Sequence, residues 1–213
     1  MKKTEDFQRN RSQAGTMIEI RYTGDALWER IERALEKVKD RLNRVTSALE
    51  NAGIPYAVIG GNAVQLWVAQ VDESVVRNTR DVDIIINPED LPKAIIALEK
   101  VGFIYRHVKS IDMFLDGPDA KARDAVHVLF AGVKVRASDQ EPVPGIENIA
   151  MIQNIRTIPL EGLIRLKLIA FRLKDRVHLL DMISIGMIDE TWLDKLPTEL
   201  AERLKILLDD PEG

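Results

Sequence analysis

The sequence contains no cysteine. A disulfide framework, a thiolate metal site and a cysteine nucleophile are therefore excluded, and the expected setting is a reducing one, the cytoplasm. Also missing is any apolar run of about 18 residues, the length a membrane span needs. The opening MKKTEDFQRNRSQAG is polar beyond its basic pair and lacks the apolar stretch of a secretory signal. Neither sign of charge dominates: 30 Lys and Arg stand against 34 Asp and Glu, a formal charge of −4. That balance excludes the overall basic field behind sequence-independent nucleic-acid binding, and nothing signals DNA in particular. Internal repeats and low-complexity stretches are absent, which sets solenoids aside. Aromatics make up only 5% of the chain, and Trp67 and Trp192 lie in apolar helical contexts that suit core packing better than base stacking. What is present is 213 residues, 46% hydrophobic, enough for one soluble domain with a short appendage.

Residues 1–15 are polar and aperiodic, and are expected to fray or stay disordered. From Asp25, the residues Leu27, Ile31, Leu35, Val38, Leu42, Val45 and Leu49 recur at helical spacing, which predicts a long amphipathic helix ending at Gly53. Tyr56-Ala57-Val58-Ile59 is a short strand that stops at Gly60-Gly61, and a helix from Asn62 to Gln70 opens directly after the glycines. A polar loop from Asp72 to Arg80 leads into a second strand, Asp81 to Ile86. Leu91 to Val101 is helical. Strands are expected at Phe103–Tyr105, Ile111–Leu115 and Ala125–Phe130, with a further strand or hairpin at Val133-Lys134-Val135. After Thr157 the pattern turns mostly helical. The reading is a mixed sheet flanked by helices, followed by a helical tail.

Chemistry concentrates in two places that meet twenty residues apart, Gly60-Gly61 and Asp81-x-Asp83. Strand alternation puts both aspartates on one face, at the end of a sheet, where two negative charges need compensation. A divalent cation supplies it, since Mg²⁺ takes hard oxygen ligands from one or two carboxylates plus phosphates and water. Freed N–H groups at the start of the helix after Gly61 suit a phosphate. A Rossmann dinucleotide site fits less well, because the third spaced glycine is missing and the acids occur as a pair.

The segments Tyr56 to Ala63 and Asn78-Thr79-Arg80-Asp81-Val82-Asp83 resemble the first and the acidic motifs of the nucleotidyltransferase superfamily, and most closely its abortive-infection (AbiEii-type) branch. The resemblance implies an α/β fold of the nucleotidyltransferase type over residues 16–155, with a C-terminal helical segment over 156–213 that closes one side of the cleft. It implies that Gly60, Gly61 and Asn62 cradle an NTP, that Asp81 and Asp83 hold Mg²⁺ or Mn²⁺, and that a nucleoside monophosphate passes to an acceptor on RNA or protein. A toxin-like role with an antitoxin-like partner follows by the same resemblance. Active members of the family add a third carboxylate from a neighbouring strand, where this sequence has His127. Imidazole suits Mn²⁺ or Zn²⁺ better than Mg²⁺, and it could instead be a general base or a hydrogen-bonded core histidine. Asp124 falls on the opposite strand face from His127, and Asp112 lies on the preceding strand. A protein that keeps the fold and binds nucleotide or a partner without catalysis is the alternative.

The stretch Leu163 to Ile185 reads as one helix with Leu163, Leu166, Ala170, Leu173, Val177 and Leu180 as its apolar stripe. On that wheel Arg165, Arg172, Asp175 and Arg176 point away, while Lys167, Lys174, His178 and Asp181 share one flank. This segment resembles the later Lys- and Asp-containing motifs of AbiEii-type proteins, which implies triphosphate contact by Lys167, with Lys174 beside it, and a supporting or catalytic acid in Asp181. Solvated helix ion pairs are the plainer reading of the same residues. Arg77 and Arg80 are expected either to reach phosphates or to pair with Asp81 and Asp83.

Overall fold

The computed structural model describes residues 21–139 and 141–212; the expectation for residues 1–15 lies outside them. The chain divides after Lys37 into two compact units, and the division falls inside the first helix, α1 (Asp25–Asn51). In the first unit Leu27, Trp28, Ile31 and Leu35 are exposed, and the Arg30 guanidinium lies 3.9 Å from the Tyr22 ring centroid. In the second, the same spacing continues through Leu42, Val45 and Leu49, all buried.

One mixed sheet of seven strands carries the second unit: β1 (Tyr56–Ile59), β2 (Val82–Ile86), β3 (Ile104–Val108), β4 (Ile111–Leu115), β5 (Val126–Phe130), β6 (Ala150–Ile152) and β7 (Ile155–Thr157). Their order is β3-β4-β5-β2-β1-β7-β6. β2 pairs parallel with β5 and antiparallel with β1, and β1 runs parallel to β7. The remaining helices are α2 (Gly60–Val68), α3 (Leu91–Glu99), α4 (Leu160–Ala170), α5 (Leu173–Ser184) and α6 (Thr198–Asp209).

Alternation along the central strands sorts their side chains into two cores. Tyr56, Val58, Val82, Ile84, Ile86, Val126 and Val128 pack with the buried residues of α1 and α3. Ala57, Ile59 and Ile85 pack on the opposite face with α2, α4, α5 and α6. Burial on both faces explains why β2 runs fully apolar after Asp83. Ile84, Ile85 and Ile86 have no exposed surface, and burying each contributes about 2 kcal/mol. These residues hold the register, since a slip by one would replace Asp83 with Ile84 on the second face.

Two local expectations are corrected and one hairpin is added. Val133-Lys134-Val135 forms no strand; Gly132 N–H donates to the Val143 carbonyl and Val143 N–H to that of Val133, which closes an irregular loop. The β6–β7 hairpin was not anticipated, and it turns through Gln153 and Asn154, both at positive φ (51° and 62°) as a tight hairpin requires. Leu163 to Ile185 is not one helix. Phe171 ends α4 in the left-handed region (φ 44°), and the Asp175 carboxylate accepts from the Arg172 N–H at 3.3 Å to start α5 afresh. The continuous helical wheel fails at that break: Leu173, assigned to the apolar stripe, is 70% exposed, and Asp175, assigned to the far side, is buried. No helix among the described residues is long and apolar enough to cross a membrane.

Candidate active site

The glycine pair forms the first turn of α2, where β1 ends beside β2, and Ile59 sits opposite Asp83. Gly60 has φ +67°, and a Cβ built on it would lie 2.8 Å from the Asp83 Cγ and closer still to Oδ2. A Cβ on Gly61 would meet the Thr79 side chain at 2.7 Å. Both glycines are therefore required for the backbone to lie against the acidic strand, and not only for a turn. Asn62 secures the same approach: its buried amide donates to the Asp81 carbonyl at 2.8 Å, so it holds the turn and does not face the cleft. From the other side Arg41 of α1 donates to the Arg80 carbonyl at 2.9 Å while pairing with Asp116.

Asp81 and Asp83 share a face, and β5 brings His127 opposite Asp83. The His127 Nδ1 lies 3.4 Å from Asp83 Oδ1 and 3.9 Å from Asp81 Oδ2. Thr79 Oγ1 donates to Asp81 Oδ1 at 2.7 Å. Burial works against the charged form of Asp81, but the Thr79 hydroxyl, the Lys174 charge and His127 outweigh it, and its carboxyl is held below the usual range. The contact with Asp83 raises His127 despite burial, helped by both carboxylate charges. One donor atom from each of Asp81, Asp83 and His127 lies within 4.8 Å of the others, a set able to hold a metal ion. Two hard oxygens satisfy Mg²⁺, and the added nitrogen suits Mn²⁺ or Zn²⁺.

Beyond the break, α4 and α5 place a second charged group on this face. Lys167 Nζ donates to Asp175 Oδ1 at 3.1 Å and to His178 Nδ1 at 2.9 Å. The lysine is buried, which lowers its pKa against the opposing charges of Asp175 and Asp83. His178 is pushed down to about 4 by burial and the lysine's charge, so it is neutral at physiological pH. Lys174, by contrast, is exposed and acts electrostatically on Asp81. Arg77 pairs with Asp181 through two contacts of 2.5 and 3.0 Å, tying the loop before β2 to α5.

The sequence matches no protein-family model and no curated protein sequence. Among solved structures, an antigenic nucleotidyltransferase-like protein from Paracoccidioides brasiliensis is 15% identical, over 84% of this chain and 91% of that one, with a TM-score of 0.52. The chain has the nucleotidyltransferase fold. The antibiotic-resistance factor ANT(2'')-Ia is also similar, at 14% identity over 83% of this chain and 91% of that one, with a TM-score of 0.44. JHP933 from Helicobacter pylori is 15% identical over 85% and 94%, also at 0.44.

On this nucleotidyltransferase fold the expected residues separate into groups. Gly60, Gly61, Asp81, Asp83 and His127 converge, with Lys174 within electrostatic reach. Arg80 is exposed and pairs with neither acid. Lys167 is not on an open flank but buried between Asp175 and His178, and Asp181 is engaged by Arg77. Neither remaining acid joins the trio. Asp112 lies opposite Val128, on the other sheet face from His127, where Tyr105 and His107 hold it. Asp124 sits in a short 3₁₀ turn beside Arg123. Thr79 and Asp175 were missed as site residues, and His178 was placed on the flank of Lys167 without a role. Thr79 carried one signal, a hydroxyl two positions before an acid, the spacing at which such side chains meet locally.

Proposed function

We propose that this chain is a metal-dependent nucleotidyltransferase, moving a nucleoside monophosphate from an NTP to an acceptor on RNA or protein. One observation carries the reading: a turn with no room for side chains lies directly against the Asp81–Asp83–His127 trio. Asp81 and Asp83 would hold Mg²⁺ or Mn²⁺. When bound there, the ion neutralises charge on the transferring phosphoryl group and fixes its orientation. The N–H groups opening α2 receive a phosphate, and exposed Lys174 balances further charge as a point cation. Lys167 acts from behind, setting Asp175 and His178 at the start of α5, while the Arg77–Asp181 pair steadies the loop leading into the acids. In the transfer, a bond forms from the acceptor oxygen to the α-phosphorus as the bond to pyrophosphate breaks, and the acceptor proton passes to a base in the cleft.

On this reading residues 16–155 handle the nucleotide and 156–213 close one side of the cleft. The order of Lys167, Lys174, Asp175 and Asp181 supports an AbiEii-type assignment, with a toxin-like role, ATP among the donors to test, a cytoplasmic setting and an antitoxin-like partner. A second reading, a nucleotide-binding protein without turnover, is favoured by His127 in place of a third acid.

The test is transfer of α-phosphate-labelled ATP, GTP, CTP and UTP, with Mg²⁺ or Mn²⁺, to total RNA and to protein. Label transferred by the natural chain and lost in Asp81→Ala is expected. Binding without transfer, with turnover created by His127→Asp, selects the second reading. Metal-supported nucleotide binding that survives in both Asp81→Ala and Asp83→Ala refutes the site.

A further inference from the structure

We infer that His127 is itself a metal ligand, so that the site prefers a first-row transition-metal dication that accepts nitrogen, such as Mn²⁺ or Zn²⁺, over Mg²⁺. The inference rests on the reading of Asp81 and Asp83 as metal ligands and deepens it.

Register places the imidazole where a third ligand belongs, since Asp83 and His127 are direct partners across the parallel β2–β5 pair, on the same face. At 3.4 and 3.9 Å from the two carboxylates, Nδ1 stands farther off than the usual N–H···O bond of about 2.7–3.2 Å. The ring faces the acids without closing on them. Separations up to 4.8 Å among the three donor atoms are near the span of one ion with bonds of about 2.0–2.2 Å, so a small side-chain adjustment completes the site.

Nδ1 is the nitrogen turned to the acids, and in the neutral imidazole with its proton on the other nitrogen the Nδ1 lone pair is the one available to an ion between them. Among the described residues no further acid joins the set, because Asp112 lies on the other sheet face and Asp124 lies in the turn beside Arg123. Mg²⁺ demands oxygen donors and sheds water reluctantly, whereas imidazole binds Mn²⁺ and Zn²⁺ readily. A mixed nitrogen and oxygen set therefore discriminates by ligand chemistry.

The metal-free full chain would be titrated calorimetrically with Mn²⁺, Zn²⁺ and Mg²⁺, and the Mn²⁺ form examined by pulsed electron paramagnetic resonance for coupling to an imidazole nitrogen. His127→Ala and His127→Asp serve as variants, with circular dichroism melts to confirm folding. Expected are Mn²⁺ and Zn²⁺ affinities at least about tenfold above that of Mg²⁺, and nitrogen coupling present in the natural chain and lost in both variants. His127→Asp should shift preference toward Mg²⁺. Mn²⁺ bound without nitrogen coupling, Mg²⁺ bound as tightly as Mn²⁺, or no metal binding at all would overturn the inference. The two readings fail separately: nitrogen-coupled Mn²⁺ with no nucleotide binding removes the proposed function alone, and nucleotidyl transfer supported by Mg²⁺ with an uncoordinated His127 removes the inference alone.

Discussion

Replacing Gly60 with alanine tests the site because two costs can be separated within the same chain. The first is conformational: Gly60 has φ +67°, where an L-residue is disfavoured by about 1–2 kcal/mol. The second is steric. The new Cβ would lie 2.8 Å from the Asp83 Cγ and 2.9 Å from its Cβ, so rotating the carboxylate cannot relieve the overlap and the strand must give. Such overpacking costs about 1–3 kcal/mol. Gly53 supplies the control, with φ +65° and nothing within 4 Å of a built Cβ. Gly53→Ala should lose only the conformational part, and Gly60→Ala about 2–5 kcal/mol in total. Urea denaturation with unchanged slopes measures both losses, and Mn²⁺ titration should show binding abolished in Gly60→Ala alone. Adding Asp83→Ala to Gly60→Ala removes the Cγ and Oδ2 overlaps but keeps the Cβ approach at 2.9 Å, so a double-mutant cycle should recover part of the steric loss, about 1 kcal/mol. Equal losses at the two glycines, or native Mn²⁺ affinity in Gly60→Ala, would refute the claim that the turn is packed against a functional carboxylate.

Thr79→Val keeps the packing against Gly61 but removes the hydroxyl donated to Asp81, and should weaken metal affinity about 10–100-fold, as calorimetry would show, with little change in stability. His178, lowered from 6.5 to about 4, gives a pH dependence of definite sign. The unfolded chain takes up that proton first, so the stability is complete above pH 6.5 and falls as pH drops toward 4, by up to about 3 kcal/mol; denaturation of His178→Gln across this window should show a flatter profile. Asp116 accepts from Arg41 and Arg44 and is held below the usual carboxyl range, burial being outweighed by both guanidinium groups. Asp116→Asn should cost about 2 kcal/mol in thermal denaturation and leave Mn²⁺ affinity unchanged.

Much of the central sheet was legible because its signals are local. The fully apolar run Ile84–Ile86 reports burial on both faces, and Gly60-Gly61 marks a turn from β1 into α2 that leaves no room for side chains against the acidic strand. The aspartate pair was legible for the same reason, since alternation alone puts Asp81 and Asp83 on one face. The α4–α5 region was not. Its apolar spacing runs unbroken through Phe171, and the break depends on a non-glycine residue at positive φ together with the Asp175 carboxylate capping Arg172. Once the helix is interrupted, the 100° rule no longer relates Lys167 to Lys174 or Asp175, so the burial of Asp175 could not be read from spacing. The Arg77–Asp181 pair was invisible for a different reason: it joins residues 104 positions apart, and nothing in either segment names the other as partner.

The contact between Gly60 and Asp83 also constrains how this chain can diverge. While the aspartate is present, position 60 is crowded by its Cβ, Cγ and Oδ2; once the carboxylate is lost the last two overlaps go, while the Cβ approach at 2.9 Å and the backbone preference for glycine remain. Descent is therefore directional. A lineage that abandons the acid first meets a smaller steric cost at the turn afterwards, whereas the reverse order passes through an intermediate crowded by the whole aspartate side chain.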